Sequence, residues 1–138
     1  MKFLLIEGDV KVADLLRQAL AEADHEITVR NTGEEGLAYL AGSRPDAIFM
    51  DVRLPKMNGI EVLRRIRVTD PTLPVILLTG RATVDEIAEA KRLGVAEVIA
   101  KPYVLRHFSE ALDRVARPGP TAGRGTPRTG RGSATGQQ

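Results

Sequence analysis

A short, unbroken apolar run that ends in a carboxylate constrains the fold of this chain most. Residues 47–50 are all apolar, and Asp51 follows them directly. An apolar run of strand length without alternation is typical of a strand buried on both faces, as in a parallel sheet covered by helices. Because such a strand has no exposed face, Asp51 is expected where the strand leaves the core. Pro55 and Asn58-Gly59 indicate that a loop follows.

Strands and helices are predicted to alternate along the chain. The predicted strands are residues 2–6, 26–30, 47–51, 74–79 and 97–100. Apolar residues recur at helical spacing in the segments between and after them, at residues 10–23, 33–41, 60–69, 84–93 and 105–115. Capping-box sequences at residues 32–35 and 83–86 precede two of these helices. The alternation is typical of βαβ units, so the sequence predicts an α/β fold, a doubly wound parallel sheet of five strands flanked by five helices.

The composition excludes several kinds of chemistry. The 138 residues correspond to one domain, and 43% of them are hydrophobic, as in ordinary globular proteins. The chain contains no cysteine, so disulfides, thiolate metal sites and thiol nucleophiles are excluded. The N-terminal apolar run ends at Glu7, too soon for a signal peptide, and no segment approaches transmembrane length. These features favour a cytoplasmic protein.

Charge and composition divide the chain near residue 117. Residues 117–138 contain four arginines, no acid and no large apolar side chain. Such a segment buries too little surface to offset the entropy of ordering, so we predict a disordered tail rich in Arg, Gly, Pro and Thr. Without its arginines the 20 basic residues fall to 16 against 18 acidic ones, so the predicted domain, residues 1–116, is mildly acidic. Arginines so sparse do not indicate a nucleic-acid partner.

Four predicted strands lead into polar side chains. These are Glu7 with Asp9 just beyond it, Asp51, Thr79 and Lys101. Because the carboxyl ends of parallel strands lie at one edge of a sheet, these side chains are expected to lie together. Any one of them could simply mark where a strand leaves the core, but the set of acids, hydroxyl and amine favours a site. Carboxylates suit Mg²⁺, and phosphoryl acceptance by Asp51 is a reaction that uses all these positions.

In these motifs the chain resembles the receiver domain of bacterial two-component response regulators. The resemblance covers residues 2–116 and includes Glu7-Gly8-Asp9, the segment from Asp51 to Gly59, Thr79 with Gly80, and Lys101-Pro102. It implies a flavodoxin-like sheet with strand order 2-1-3-4-5. It also implies that Asp51 receives a phosphoryl group from a histidine kinase or a phosphotransfer protein, and that Thr79 and Lys101 bind that group.

The resemblance further implies a Mg²⁺ cofactor and a cis peptide bond before Pro102. The metal ligands that it implies are Glu7, Asp9, Asp51 and the backbone carbonyl of Arg53. The family usually has two adjacent acids after the first strand, and the second of these positions is Gly8 in this chain. Glycine has no side chain to bind a metal, so two alternatives stand: a receiver with weakened metal binding, and one that uses no metal.

Three further positions bear on signalling. The family often has Tyr or Phe where this chain has Val98, and a valine cannot make the inward swing of that ring. The signal would then pass through the loop after Thr79 and the helix that follows. The two positions that tune phosphate lifetime in the family are both arginine here, Arg53 and Arg81. Either these are solvated side chains, or one guanidinium partly replaces the metal charge by pairing with Asp51 or a bound phosphoryl group.

The sequence therefore predicts a single-domain response regulator without an output domain. It would be a phosphoacceptor signalling protein, not an enzyme, that acts through phosphorylation-dependent contact with a downstream protein. A homodimer is left open, and no membrane partner is indicated. The alternative is a pseudo-receiver, a protein-binding module of the same fold that is not phosphorylated, which Gly8 and Val98 favour. A flavodoxin-like cofactor protein is disfavoured because Glu7 and Asp9 would repel a phosphate without a metal.

Overall fold

The apolar runs of the sequence form strands, and the amphipathic segments between them form helices. The computed structural model describes residues 1–22 and 24–100. The strands of this part are β1 (Lys2–Ile6), β2 (Glu26–Arg30), β3 (Ala47–Asp51), β4 (Val75–Thr79) and β5 (Glu97–Ala100). Its helices are α1 (Val10–Glu22), α2 (Gly33–Gly42), α3 (Gly59–Thr69) and α4 (Val84–Arg92), none of them long and apolar enough to cross a membrane. The predicted fifth helix at 105–115, the tail at 117–138 and the domain boundary between them lie outside the described residues.

The five strands form one parallel sheet in the order β2-β1-β3-β4-β5. β1 pairs on one side with β2 and on the other with β3, and β4 joins β3 to β5. This order confirms the predicted doubly wound α/β fold. The strand order reverses between β1 and β3, and the carboxyl ends of the strands at such a reversal are where open α/β sheets bind ligands.

β3 and β4 form the buried centre of the sheet. All five residues of each strand are buried, which is why the sequence there is apolar without alternation. α3 buries Ile60, Val62, Leu63 and Ile66 in the same core. Burying a side chain of this size contributes about 1.5–3 kcal/mol relative to leaving it exposed. The loops at the carboxyl edge therefore begin from strands that are buried along their whole length.

The helix starts follow the capping signals of the sequence. At α4, Glu86 N donates to Thr83 Oγ1 (3.1 Å) and Thr83 N donates to Glu86 Oε1 (2.9 Å), so the predicted capping box is complete. At α2, Glu35 N donates to Thr32 Oγ1 (3.1 Å), while the Glu35 carboxylate accepts from Asn31 N (3.3 Å). The Glu35 side chain thus satisfies a backbone donor one residue earlier than the predicted box requires.

Candidate functional site

Three of the predicted site residues come together at the carboxyl edge of the sheet. Glu7 directly follows β1, and Asp51 and Thr79 are the last residues of β3 and β4. All three are buried, with exposed fractions of 1% for Glu7, 6% for Asp51 and 7% for Thr79. Because β1, β3 and β4 are consecutive in the sheet, these residues lie at neighbouring strand ends. Lys101, the site residue predicted to follow the fifth strand, lies outside the described residues.

Asp51 borders a cleft of about 660 Å³ between the loops that follow β1 and β3. Glu7, Asp9, Arg53 and Pro55 are among the residues that line it. The backbone N–H of Arg53 donates a hydrogen bond to Asp51 Oδ1 (3.1 Å). The loop that follows Asp51 thereby binds one oxygen of its carboxylate at the border of the cleft.

The loop after β3 returns tightly to the strand at Gly59. A Cβ at Gly59 would lie 2.4 Å from the carbonyl oxygen of Asp51 and 2.9 Å from the Cα of Val52. Gly59 N also donates to the Val52 carbonyl (2.8 Å), and Asn58 Oδ1 caps α3 by accepting from Ile60 N (2.7 Å). The Asn58-Gly59 pair that predicted a loop is therefore what starts α3 directly beneath Asp51.

The two acids after β1 are engaged within their own loop. Glu7 Oε2 accepts a hydrogen bond from Asp9 N (3.0 Å). Asp9 Oδ1 accepts from Lys11 N (2.9 Å) and Val12 N (3.2 Å), as the N-cap of a helix does. In this structure the Asp9 carboxylate serves the start of α1.

Gly8, where the family usually has its second acid, lies against Pro55. A Cβ at Gly8 would be 2.8 Å from Pro55 Cδ and 3.2 Å from Pro55 Cγ. A side chain at this position would therefore have to displace the proline ring. In this structure the Pro55 ring packs directly against the backbone of Gly8.

Arg53 links the loop after β3 to the start of α4. Its Nη1 donates to Glu86 Oε2 (2.9 Å) and its Nη2 to Glu86 Oε1 (2.7 Å), which makes a bidentate ion pair. Asn58 Nδ2 donates to the same carboxylate (2.8 Å). The pKa of Glu86 is lowered, first by the hydrogen bond from the Thr83 backbone, then by those from Asn58 and the charge of Arg53. The Arg53 guanidinium therefore pairs with Glu86.

The loop between β4 and α4 is tied to the same place through its backbone. Arg53 Nε and Nη2 donate to the carbonyl oxygen of Arg81 (3.2 and 2.8 Å). Arg81 N donates in turn to Thr79 Oγ1 (3.2 Å). The side chain of Arg81 is exposed. Arg81 thus contributes here through its peptide groups, while the side chain of Arg53 makes the connection between loops.

Comparison with known proteins identifies the family. Residues 3–113 match the family model described as response regulator receiver domain. The chain belongs to this family. The membership confirms the resemblance drawn from the strand-end residues, and phosphorylation on Asp is typical of such receiver domains.

This receiver domain is similar to several curated response regulators and solved receiver structures. It is 33% identical to Response regulator MprA of Mycobacterium leprae (strain TN) over 117 residues, which are 85% of this chain and 51% of that protein. The chain thus spans about half the length of the curated relatives it matches. The HemR receiver domain of Leptospira biflexa superposes with a TM-score of 0.77 at 30% identity, covering 83% of this chain and 92% of that one. Chemotaxis response regulator CheY4 of Vibrio cholerae gives 0.76 at 26%, covering 83% and 97%.

Receiver domains typically bind Mg²⁺ in the acidic pocket, and the side chains of this receiver domain do not fit the usual donor set. Gly8 offers no ligand, and Asp9 Oδ1 caps α1. Across residues 1–22 and 24–100, no three His, Cys, Asp or Glu side chains are grouped so as to hold a metal ion. Mg²⁺ requires near-octahedral oxygen ligands. The predicted ligands Glu7, Asp9 and Asp51 thus border one cleft without forming a ready site.

Val98 is part of the packed sheet in this receiver domain. It lies in β5, opposite Leu77 of β4, and packs against the core. A valine there provides apolar packing and no ring that could follow Thr79 inward. Val98 therefore cannot connect the cleft to α4 through an aromatic ring.

Sequence reasoning missed Glu86 and Asn58 as members of the site. Glu86 was predicted only to cap its helix, and Asn58 only to mark a loop. The signal for Glu86 was present in Thr83-x-x-Glu86, but a capping box does not show which side chain faces it from another loop. Arg53 and Glu86 are 33 residues apart, so their contact depends on how β3 and β4 are paired.

Proposed function

We propose that this receiver domain accepts a phosphoryl group on Asp51 from a histidine kinase or a phosphotransfer protein. The observation that carries the proposal is the position of Asp51. Its carboxylate ends the fully buried β3, is 6% exposed and borders the cleft. A carboxylate that is oriented by a backbone hydrogen bond at a partly desolvated strand end is well placed for transfer from a donor that enters the cleft.

In the proposed step a carboxylate oxygen of Asp51 attacks the phosphorus of a phosphohistidine. A P–O bond forms while the P–N bond breaks, and the leaving imidazole takes up a proton. The backbone N–H of Arg53 holds Asp51 Oδ1 and so orients the carboxylate. The Thr79 hydroxyl and the Lys101 ammonium are proposed to bind the oxygens of the transferred group.

The transferred group brings a charge of roughly −1.5 to −2 into a loop that already carries acids. Because the side chains do not fit the usual metal site, we propose that cations of the chain itself carry much of the compensation. Lys101 and the guanidinium of Arg53 are the side chains proposed for this role, since Arg53 lines the cleft. Phosphorylation would then depend only weakly on Mg²⁺.

Treatment with acetyl phosphate, with Mg²⁺ and with a chelator in its place, tests the proposal by intact mass. We expect the full chain to gain the mass of one phosphoryl group in both conditions, and Asp51→Asn to gain none. Labelling of Asp51→Asn to the wild-type extent would show that Asp51 is not the acceptor. Labelling that disappears with the chelator would show that the chain needs a divalent metal after all.

The pseudo-receiver is the second candidate function, and the acidic loop favours it. Pro55 occupies the space beside Gly8, and Asp9 is engaged as a helix cap. Such a module would bind its partner without phosphorylation. If neither acetyl phosphate nor a panel of phosphorylated histidine kinases labels the folded chain, the pseudo-receiver becomes the better assignment.

We further propose that the phosphorylated domain signals by contact with a downstream protein. The loop after β4 and the helix α4 are the elements proposed to respond, since both are attached to Arg53 at the edge of the cleft. The kinase and the downstream protein would meet the domain in the cytoplasm.

A further inference from the structure

We propose that the ion pair between Arg53 and Glu86 is a latch that holds the start of α4, and that a phosphoryl group on Asp51 opens it. The inference rests on the proposed function, because it needs a phosphoryl group at Asp51. It adds a route by which the charge of that group reaches α4. We call the Arg53–Glu86 pair the latch from here on.

The latch is a bidentate ion pair whose side chains are partly exposed to water. Both terminal nitrogens of Arg53 bind Glu86, at 2.9 and 2.7 Å, and this bidentate form is the strongest that a guanidinium makes with a carboxylate. The side chains of Arg53 and Glu86 are 43% and 20% exposed. Because water reaches the pair, its net contribution stays small enough for a competing anion to displace Glu86.

The latch also holds the loop between β4 and α4 by its backbone. The Arg81 carbonyl accepts two hydrogen bonds from Arg53, and Arg81 N donates to Thr79 Oγ1. The loop is therefore held at Arg81 by Arg53, from the loop after β3, and by Thr79, at the end of β4. A change at Asp51 that draws both groups inward would release the loop on both sides.

A phosphoryl group competes directly with Glu86 for Arg53. It carries roughly −1.5 to −2 charges and three acceptor oxygens, against the single charge of Glu86. The planar guanidinium suits phosphate as well as carboxylate. Arg53 is two residues from Asp51, binds its Oδ1 through the backbone and lines the same cleft. On phosphorylation, Arg53 leaves Glu86 for the phosphoryl oxygens, and the Thr79 hydroxyl turns toward the same group.

Release of the latch loosens the first turn of α4. Glu86 then keeps its hydrogen bonds with Thr83 and Asn58 but loses its cation, and the Arg81 carbonyl loses both donors. Val98 offers no aromatic side chain to report the movement of Thr79. The latch therefore supplies the connection between cleft and α4 that the sheet itself does not.

Hydrogen exchange followed by mass spectrometry tests the latch, with Glu86→Gln as the main variant. Glutamine keeps the capping box, which accepts Glu or Gln, and removes the charge that holds Arg53. We expect residues 80–86 of the wild type to exchange about fivefold faster after acetyl phosphate labelling, a factor that corresponds to about 1 kcal/mol. In Glu86→Gln these residues should exchange at the faster rate before labelling, and labelling should add little.

Glu61→Gln is the matched control. Glu61 pairs with Arg64 and Arg65 on α3 and belongs to no contact of the latch. The Glu61→Gln variant should exchange like the wild type before and after labelling. Arg53→Lys keeps the positive charge but cannot form the bidentate pair, so its exchange rate before labelling should fall between those of the wild type and Glu86→Gln.

The outcomes separate the latch from the proposed function. Labelling of Asp51 with unchanged exchange at residues 80–86 overturns the latch and leaves phosphoryl acceptance standing. The latch is also overturned if the wild type and Glu86→Gln exchange at the same rate before labelling and speed up equally after it. A folded chain that gains no phosphoryl mass overturns both.

Discussion

Gly59 shows how strictly one residue sets the geometry of the site. Its missing Cβ lets the chain pass within van der Waals distance of the Asp51 carbonyl, where a Cβ would lie only 2.4 Å away. Because the obstacle is backbone in a buried strand, it cannot move aside cheaply. We expect Gly59→Ala to lower the free energy of unfolding by about 1–3 kcal/mol, the usual cost of overpacking, and to reduce acetyl phosphate labelling of Asp51.

Gly42→Ala is the control for this prediction, and urea unfolding measures the stability of both variants. It is the last residue of α2, and a Cβ there would meet nothing within 4 Å. Gly42→Ala should raise the stability by about 0.4–1 kcal/mol, because alanine restricts the unfolded chain and favours the helix. If the two substitutions change the stability equally, the close backbone approach at Gly59 is not the reason that the position needs glycine.

The sequence predicted the positions of those residues that follow directly from the direction of a buried strand. Asp51 and Thr79 end buried apolar runs, so their place at the edge of a parallel sheet followed from the sequence. The partner of Arg53 did not follow, because any of several acids could face an exposed arginine. That choice is made by the pairing of β3 with β4, which brings Glu86 to the loop after Asp51.

At the scale of elements, α1 depends on Asp9 as its N-cap. Asp9 Oδ1 satisfies the N–H groups of Lys11 and Val12, which otherwise lack helical partners. We expect Asp9→Ala to cost about 1 kcal/mol of stability and Asp9→Asn to cost little, because asparagine caps helices as well as aspartate does. Thermal and urea unfolding of both variants measure the difference.

The same two variants show whether Asp9 also serves a metal. Since the structure gives its carboxylate to α1, Asp9→Asn should keep the wild-type extent of labelling with and without Mg²⁺. A loss of Mg²⁺-stimulated labelling in Asp9→Asn, with stability unchanged, would instead make Asp9 a ligand. The sequence places Asp9 after the first strand, but sequence position alone does not show whether its carboxylate caps α1 or binds a metal.

At the scale of the described domain, β3 and β4 are buried throughout, whereas the loops that follow them are largely exposed or half-buried. The apolar periods of the sequence were sufficient to predict all five strands and their parallel arrangement, since burial on both faces leaves β3 and β4 few alternatives. The contact between Arg53, in the loop after β3, and Glu86, in the first turn of α4, is specified by no periodicity. The proposed signalling route therefore depends on a contact that the sequence alone does not predict.

At the scale of the whole molecule, a fall in pH should destabilise the folded domain, because some of its carboxyl groups have lowered pKa values. The pKa of Asp70 lies below its usual range, chiefly because Arg44 Nε donates to it (2.6 Å), and Glu86 is lowered by its own hydrogen bonds. A carboxyl with a lower pKa in the folded state stabilises it above the unfolded pKa of about 4, and this stabilisation is lost as the pH falls through the folded value.

Arg44→Gln tests this dependence, with urea unfolding measured from neutral pH to below the pKa of Asp70. At neutral pH we expect the variant to be less stable than the wild type by less than about 1 kcal/mol, as for a largely exposed pair. The difference should shrink as the pH falls, because a protonated Asp70 gains nothing from the charge of Arg44. Lys11→Gln, which removes one positive charge from an exposed position of α1, should show no such convergence. A difference between Arg44→Gln and the wild type that is constant with pH would show that Arg44 stabilises the domain by packing and not through the Asp70 carboxylate.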